Sequence, residues 1–168
     1  LAAGDGRLLH FVETTLKQHS DAPRAMQMCK LCIEKFPLSD IPWTLACDVA
    51  KFSSDHAHVR DLYRQWCEKR DGSSRSGVLR QHAEFESEQG QWDVAMELLE
   101  EALGHTTDAH SIQLLLLDVY EKSGRWLESV DLLESLIEGS PTTGQKDEHL
   151  RRLLAIALGH LDDKSLAA

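Results

Sequence analysis

The stretch "GQWDVAMELLEEAL", residues 90–103, and the stretch "GRWLESVDLLESLI", residues 124–137, share one shape at a fixed distance. Gly90 returns as Gly124, Trp92 as Trp126 and Ala95 as Ser129, each after 34 residues. A period of that size marks an array of stacked units, each too small to bury its apolar face alone. The same step joins Leu9 to Trp43, Ala25 to Val59, Cys29 to Tyr63 and Cys32 to Trp66. From Val59 to Ala95 the step is 36, and the surplus is assigned to the polar segment "RDGSSRS" at 70–76. The period thus runs through nearly the whole chain.

Only four prolines and ten glycines interrupt long stretches with apolar residues at helical spacing, and nothing alternates as a strand would. Asp21, Asp40, Ser76 and Thr107 are good N-cap types before such stretches. Gly90, Gly104, Gly124 and Gly139 stand where helices would stop. These signals predict an all-α chain with turns near 19–21, 53–55, 90–91 and 124–125. They place antiparallel helix pairs at about 6–37, 40–71, 76–105 and 108–141, and a final helix at 147–161. The whole forms a single repeat domain of about four and a half units, residues 1–168.

With Trp43 as a large opener, Gly90–Trp92 and Gly124–Trp126 at turns, Ala25, Ala95 and Ala102 as close-approach residues, and Pro37 and Pro141 as terminators, the chain resembles the tetratricopeptide (TPR) repeat family. The resemblance implies a right-handed solenoid whose first helices line a concave surface. No unit carries the full pattern: the small residue expected in the first helix is Glu13, Cys47, Ala83, Leu117 and Arg151 in turn. The second small site is Cys32, Trp66, Ala102 and Leu136, and bulky Trp66 is expected to push its helices apart or reorient them. "HAEFESEQG", "AMELLEEAL" and "VRDLYRQWC" also resemble half-a-TPR (HAT) repeats, which implies a module of an RNA-processing assembly.

Composition sets bounds on function. At 42% hydrophobic and 27% charged, the chain has apolar residues enough for a core and is not of disordered type. Its longest apolar run, Leu153–Leu158, is too short for a membrane span, as is the run of four leucines Leu114–Leu117. The opening "LAAGDG" has neither Met nor a signal-peptide pattern, and reads as part of a longer chain. Residues 1–80 hold 12 Lys/Arg and 10 Asp/Glu, net +2, whereas 81–168 hold 6 and 18, net −12. An acidic second half repels a phosphate backbone, so nucleic acid is disfavoured as a partner.

Residues with possible chemistry have plainer readings. "CKLC", Cys29 and Cys32, has the spacing of half a zinc or redox motif, but both fall on an apolar stripe, no His lies close by in sequence, and Cys47 is expected to approach Cys32. Cys67 falls on an apolar face as well, and four such cysteines suit a reducing, cytoplasmic or nuclear location. His56 and His58 in "DHAH" read as a polar helix start. In "EFESE", Glu84 and Glu88 share one helix face and Glu86 another, and a solvated face accounts for the acids better than acid/base catalysis. All four tryptophans read as packing residues. No phosphate-binding glycine loop or nucleophile elbow is present. The expectation is a non-enzymatic protein with no metal and no cofactor.

The function expected from the resemblance is protein binding: a scaffold or adaptor in complex assembly, holding a peptide segment or a subunit. Its groove positions fall at Arg7, His10, Thr14 and Lys17; Ile41, Thr44, Asp48 and Lys51; Gly77, Arg80, Glu84 and Glu88; and Ser111, Leu114, Asp118 and Glu121. With no Asn anywhere, the chain lacks the carboxylate grip of chaperone-binding members. The set includes basic Arg7, Lys17, Lys51 and Arg80 in its earlier part and acidic Glu84, Glu88, Asp118 and Glu121 in its later part, which favours a segment with acidic residues toward the first units and basic residues toward the later ones. The last helix carries Leu150, Leu153, Leu154, Ala157, Leu158 and Leu161 on one stripe with Ile156 off it, a pattern that suits a further helix or a homo-oligomer contact.

Overall fold

The computed structural model describes His10, Thr14 and residues 21–160. The ordered elements among the residues from 21 to 160 are eight α-helices: α1 Ala22–Lys35, α2 Asp40–Phe52, α3 His56–Glu68, α4 Gly72–Glu88, α5 Trp92–Leu103, α6 Ala109–Ser123, α7 Trp126–Gly139 and α8 Thr143–His160. No strand occurs among the described residues. The chain divides into two compact units, 1–78 and 79–168, with the boundary inside α4.

In the first unit α1 packs on α2 and α2 on α3. Asp21 caps α1 by accepting from the Arg24 amide, and Asp55 caps α3 by accepting from the His58 amide. Such caps satisfy amides that have no partner inside the helix. Ala25 and Cys29 of α1, Ala46 and Cys47 of α2, and Val59 and Leu62 of α3 are buried. Trp66, expected as a wedge, lies flat in this core, its ring stacked 6.4 Å from Trp43 and 6.2 Å from Tyr63. Its indole N–H donates to Asp40 Oδ1 at 3.2 Å, and the Arg70 guanidinium donates to the same oxygen at 2.7 and 3.1 Å. Arg70 and the Trp43 indole both donate to the Pro37 carbonyl, each at 3.1 Å. Buried polar groups are thereby paired, as a dry interior requires.

In the second unit α5 packs on α6, α6 on α7 and α7 on α8. Ala95, Leu99 and Ala102 of α5, Leu117 of α6 and Leu133 of α7 are almost fully buried. Ala102 has no accessible surface at all.

The 34-residue period appears directly in the backbone. Gly90 and Gly124 have φ of 71° and 75°, followed by Gln91 at φ −87°, ψ 65° and Arg125 at φ −83°, ψ 69°. The next amide closes the turn alike: Gln91 N–H to the Glu86 carbonyl and Arg125 N–H to the Tyr120 carbonyl, both at 2.9 Å. Ser54 and Asp55 build the same turn in the first unit, with φ of 55° at Ser54 and an Asp55 amide bonded to the Ala50 carbonyl at 3.0 Å. Glycine is suited to the left-handed position; Ser54 is strained there.

Several boundaries differ from the sequence reading. Ser39, not Asp40, precedes α2, and Asp108, not Thr107, caps α6 by accepting from the Ser111 amide and hydroxyl. Ser76 lies inside α4, which begins at Gly72. The surplus at 70–76 thus lengthens a helix instead of a loop, because extending a nucleated helix costs less than ending it. Gly139 is the last residue of α7, not the residue after it. The last helix starts at Thr143, four residues before the expected 147, because Thr142 and Gln145 form a Thr-x-x-Gln cap in which the Gln145 amide donates to the Thr142 hydroxyl. Its inward face is His149, Ile156 and Ala157, while Leu150, Leu154 and Leu158 are 42%, 46% and 73% exposed. Of the expected stripe, Leu150, Leu154 and Leu158 therefore face out, Ala157 and Leu153 turn toward the core, and Leu161 lies outside the described residues; Ile156 packs with Leu117, Val130, Leu133 and Leu136. No helix among the described residues is long and apolar enough to cross a membrane.

Candidate functional site

In the second unit, α4, α5 and α6 form an open cleft of about 190 Å³. Ala83, Leu99, Leu115 and Val119 give it an apolar lining, and Glu84, Ser87, Glu88, Asp118 and Lys122 a polar one. A second depression, of about 370 Å³, lies along α6, α7 and α8 and is lined by Glu121, Lys122, Trp126, Arg152, Ala155, Ile156 and His160. Lys122 borders both, and the His160 imidazole lies over the Trp126 indole with centroids 3.7 Å apart.

Helical spacing explains the grouping. Glu84 and Glu88 of α4 are one turn apart, as are Asp118 and Lys122 of α6, so each pair shares a face. Their electrostatic states differ. Arg80 Nη1 lies 3.7 Å from Glu84, an exposed i, i+4 pair. Asp118 and Glu121 are both held by Arg152 of α8, whose Nε lies 2.6 Å from Glu121 Oε1 and whose Nη2 donates to both carboxylates. Hydrogen bonding to Glu121, then to Asp118, raises the Arg152 pKa further. Among the described residues Glu88 takes part in no ion pair.

Of the ionisable groove residues expected to bind a partner, the structure brings Glu84, Glu88 and Asp118 to one cleft. Glu121 borders the neighbouring depression. Arg80 sits one turn before Glu84 as its ion-pair partner, and Lys51, in the first unit, holds its ammonium 5.6 Å from the Tyr63 ring centroid. His10 is exposed, its carbonyl accepting from Thr14 Oγ1 at 2.6 Å. Arg7 and Lys17 lie outside the described residues.

Two cations were missed by the sequence reading, and the period contains both. Counting 34 from Glu84 gives Asp118, and 34 more gives Arg152; counting 34 from Glu88 gives Lys122, not Glu121. The acidic series is thus crossed by Lys122 and closed by Arg152, so two of the four acids on this face are compensated by Arg152 within the protein.

Other groups are settled by burial. Cys29 and Cys47 are buried with their thiol pKa values pushed up to about 12, mainly by desolvation, and Cys29 is among the smaller influences on Cys47. Such thiols remain protonated at neutral pH and act as small apolar residues. His58 is the helix-start residue expected, its ring 3.8 Å from the capping Asp55. Glu86, read as part of a solvated face, is 1% exposed and lies 3.1 Å from His82 Nε2. His149 is 6% exposed, its Nε2 buried without a hydrogen-bond partner among the described residues and its ring edge-on to His110 at 6.1 Å.

No family model matches this chain, and no curated protein matches it. Among solved structures it is similar to the crystal structure of BtubC (BKLC) from P. vanneervenii, with a TM-score of 0.56 at 16% identity. The match covers 90% of this chain and 67% of that one, so the likeness is one of helical fold.

Proposed function

We propose that this chain is a non-enzymatic protein-interaction scaffold: a right-handed solenoid of paired helices, TPR-like, that holds a segment or subunit of another protein. The observation that carries the reading is the cleft of the second unit, where Glu84 of α4 and Asp118 of α6, 34 residues apart, meet Glu88 of α4 over an apolar lining. Stacked helix pairs of this type present extended surfaces built from equivalent positions. The cleft is open, and the carboxylates bordering it lack the desolvated setting that acid/base chemistry uses. Affinity capture with the parent chain and with a Glu84→Lys/Glu88→Lys variant tests the reading. The parent should retain a partner that the variant loses; equal capture would move the binding surface elsewhere.

The leucines on the outer face of α8 favour a second reading, self-association or the seating of a further helix. Light scattering at twice the monomer mass, returning to monomer in Leu154→Glu/Leu158→Glu, supports self-association; a monomer at all concentrations removes it.

A further inference from the structure

The cleft of the second unit has two chemistries at once, and together they specify an occupant. Ala83, Leu99, Leu115 and Val119 offer an apolar wall, and the charged lining holds three carboxylates against the single ammonium of Lys122. Asp118 is already engaged by Arg152, and Glu84 lies at 3.7 Å from Arg80, a loose and exposed pairing. Glu88 shares the cleft with Lys122 but takes part in no ion pair among the described residues. Residues 81–168 carry a net −12, so the surrounding field attracts cations as well.

We infer that this cleft takes a lysine or arginine side chain of the partner, its methylene stem along Leu115 and Val119 and its charged head at Glu88 and Glu84. This rests on the scaffold reading and adds to it the chemistry of what is held: a basic residue set in an apolar stretch of the partner. A long cationic side chain buries its stem and keeps its head toward carboxylates and water, matching a cleft with an apolar wall and an acidic rim. An anionic segment would meet Glu84 and Glu88 unpaired, and like charges set against each other select against such a partner.

The probe is n-butylammonium, the lysine side chain as a free ion, titrated into labelled protein and followed through backbone amide NMR shifts, with n-butanol and n-butyrate as neutral and anionic controls. The expected result is a response at Ser87, Leu115 and Val119 for the ammonium alone, weakened at least threefold in Glu84→Gln/Glu88→Gln. Glu134→Gln/Glu138→Gln, which removes the same charge from exposed positions of α7, should leave it unchanged. An equal loss in both variants would reduce the effect to the general field and overturn the inference. So would an equal response to butanol, or a preference for butyrate. Capture of the natural partner is scored separately: a partner retained by the parent while the ammonium response is absent overturns this inference and leaves the scaffold reading intact.

Discussion

Ser54 occupies the same left-handed turn position as Gly90 and Gly124, with a Cβ that the conformation disfavours. Ser54→Gly should therefore raise stability by about 0.5–1 kcal/mol, strain relief outweighing the added freedom of the unfolded chain. Gly124→Ala should lower it by about 1 kcal/mol, since φ there is 75° and helix ends of this kind favour glycine. Thermal melts of both variants check the pair, and a Ser54→Gly variant less stable than the parent would refute the strain argument. His149 sets a pH dependence at the same scale. Burial, then the charges of His110 and Arg152, hold its pKa below the ordinary 6.5, against a smaller opposing effect of Glu148. The unfolded chain then takes up the proton at higher pH than the folded one. The stability due to the neutral ring is present in full above pH 6.5 and is lost as pH falls below it toward the folded value. Melting temperature should drop with acidification through this window, and less steeply in His149→Leu; identical slopes would show that His149 does not carry the effect.

At the scale of elements, α8 is held by contacts of mixed kind. Ile156 joins the cluster of Leu117, Val130, Leu133 and Leu136, Leu153 adds partial burial, and Arg152 ties α8 to α6. Arg152→Met keeps the stem and removes the charge, leaving Asp118 and Glu121 to repel each other. Because the pair is partly exposed, the loss should be modest, about 1–2 kcal/mol, and confined to α8. Hydrogen exchange would locate it: faster exchange in Thr143–His160 with α5 unchanged is expected, and protection lost evenly through the second unit would contradict a local role. Ala102→Trp tests the opposite kind of contact. Its site has no accessible surface, so overpacking should cost on the order of 1–3 kcal/mol or more, read as a lowered melting temperature.

At the scale of the whole molecule, the charge division bears on how partners are found. Residues 1–80 are net +2 and residues 81–168 net −12, which favours approach of a basic partner to the second unit and makes its association rate fall with salt. The acidic face is not one block. Glu84→Lys/Glu88→Lys should keep parental helical content in circular dichroism while losing the partner, most clearly at low salt. Asp118→Lys/Glu121→Lys should instead destabilise the fold, because it sets two cations against Arg152. If both doubles behave alike in stability, Arg152 is not a structural tie.

Helix type, the turns at 53–55, 90–91 and 124–125 and the alignment of Glu84 with Asp118 were legible in the sequence, because they depend on spacing and local chemistry. A glycine before an indole at constant distance can be read without knowing what either touches. Helix starts shifted where local signals compete: Ser76 is a good cap, yet α4 begins earlier, and the Thr142–Gln145 cap was present but passed over. Arg152 lay within reach of the same counting, two periods on from Glu84 in a series already recognised. The gathering of Trp66 and Arg70 on Asp40, 26 and 30 residues away, has no such periodic mark. Nor does the choice of α8's inner face, where His149 and Arg152 point inward and three leucines outward. Hydrophobic counting ranks leucine above arginine at every position. Tertiary packing reverses the ranking where two carboxylates on the neighbouring helix wait for the guanidinium, since a partly buried charge is tolerated once its partners are in place.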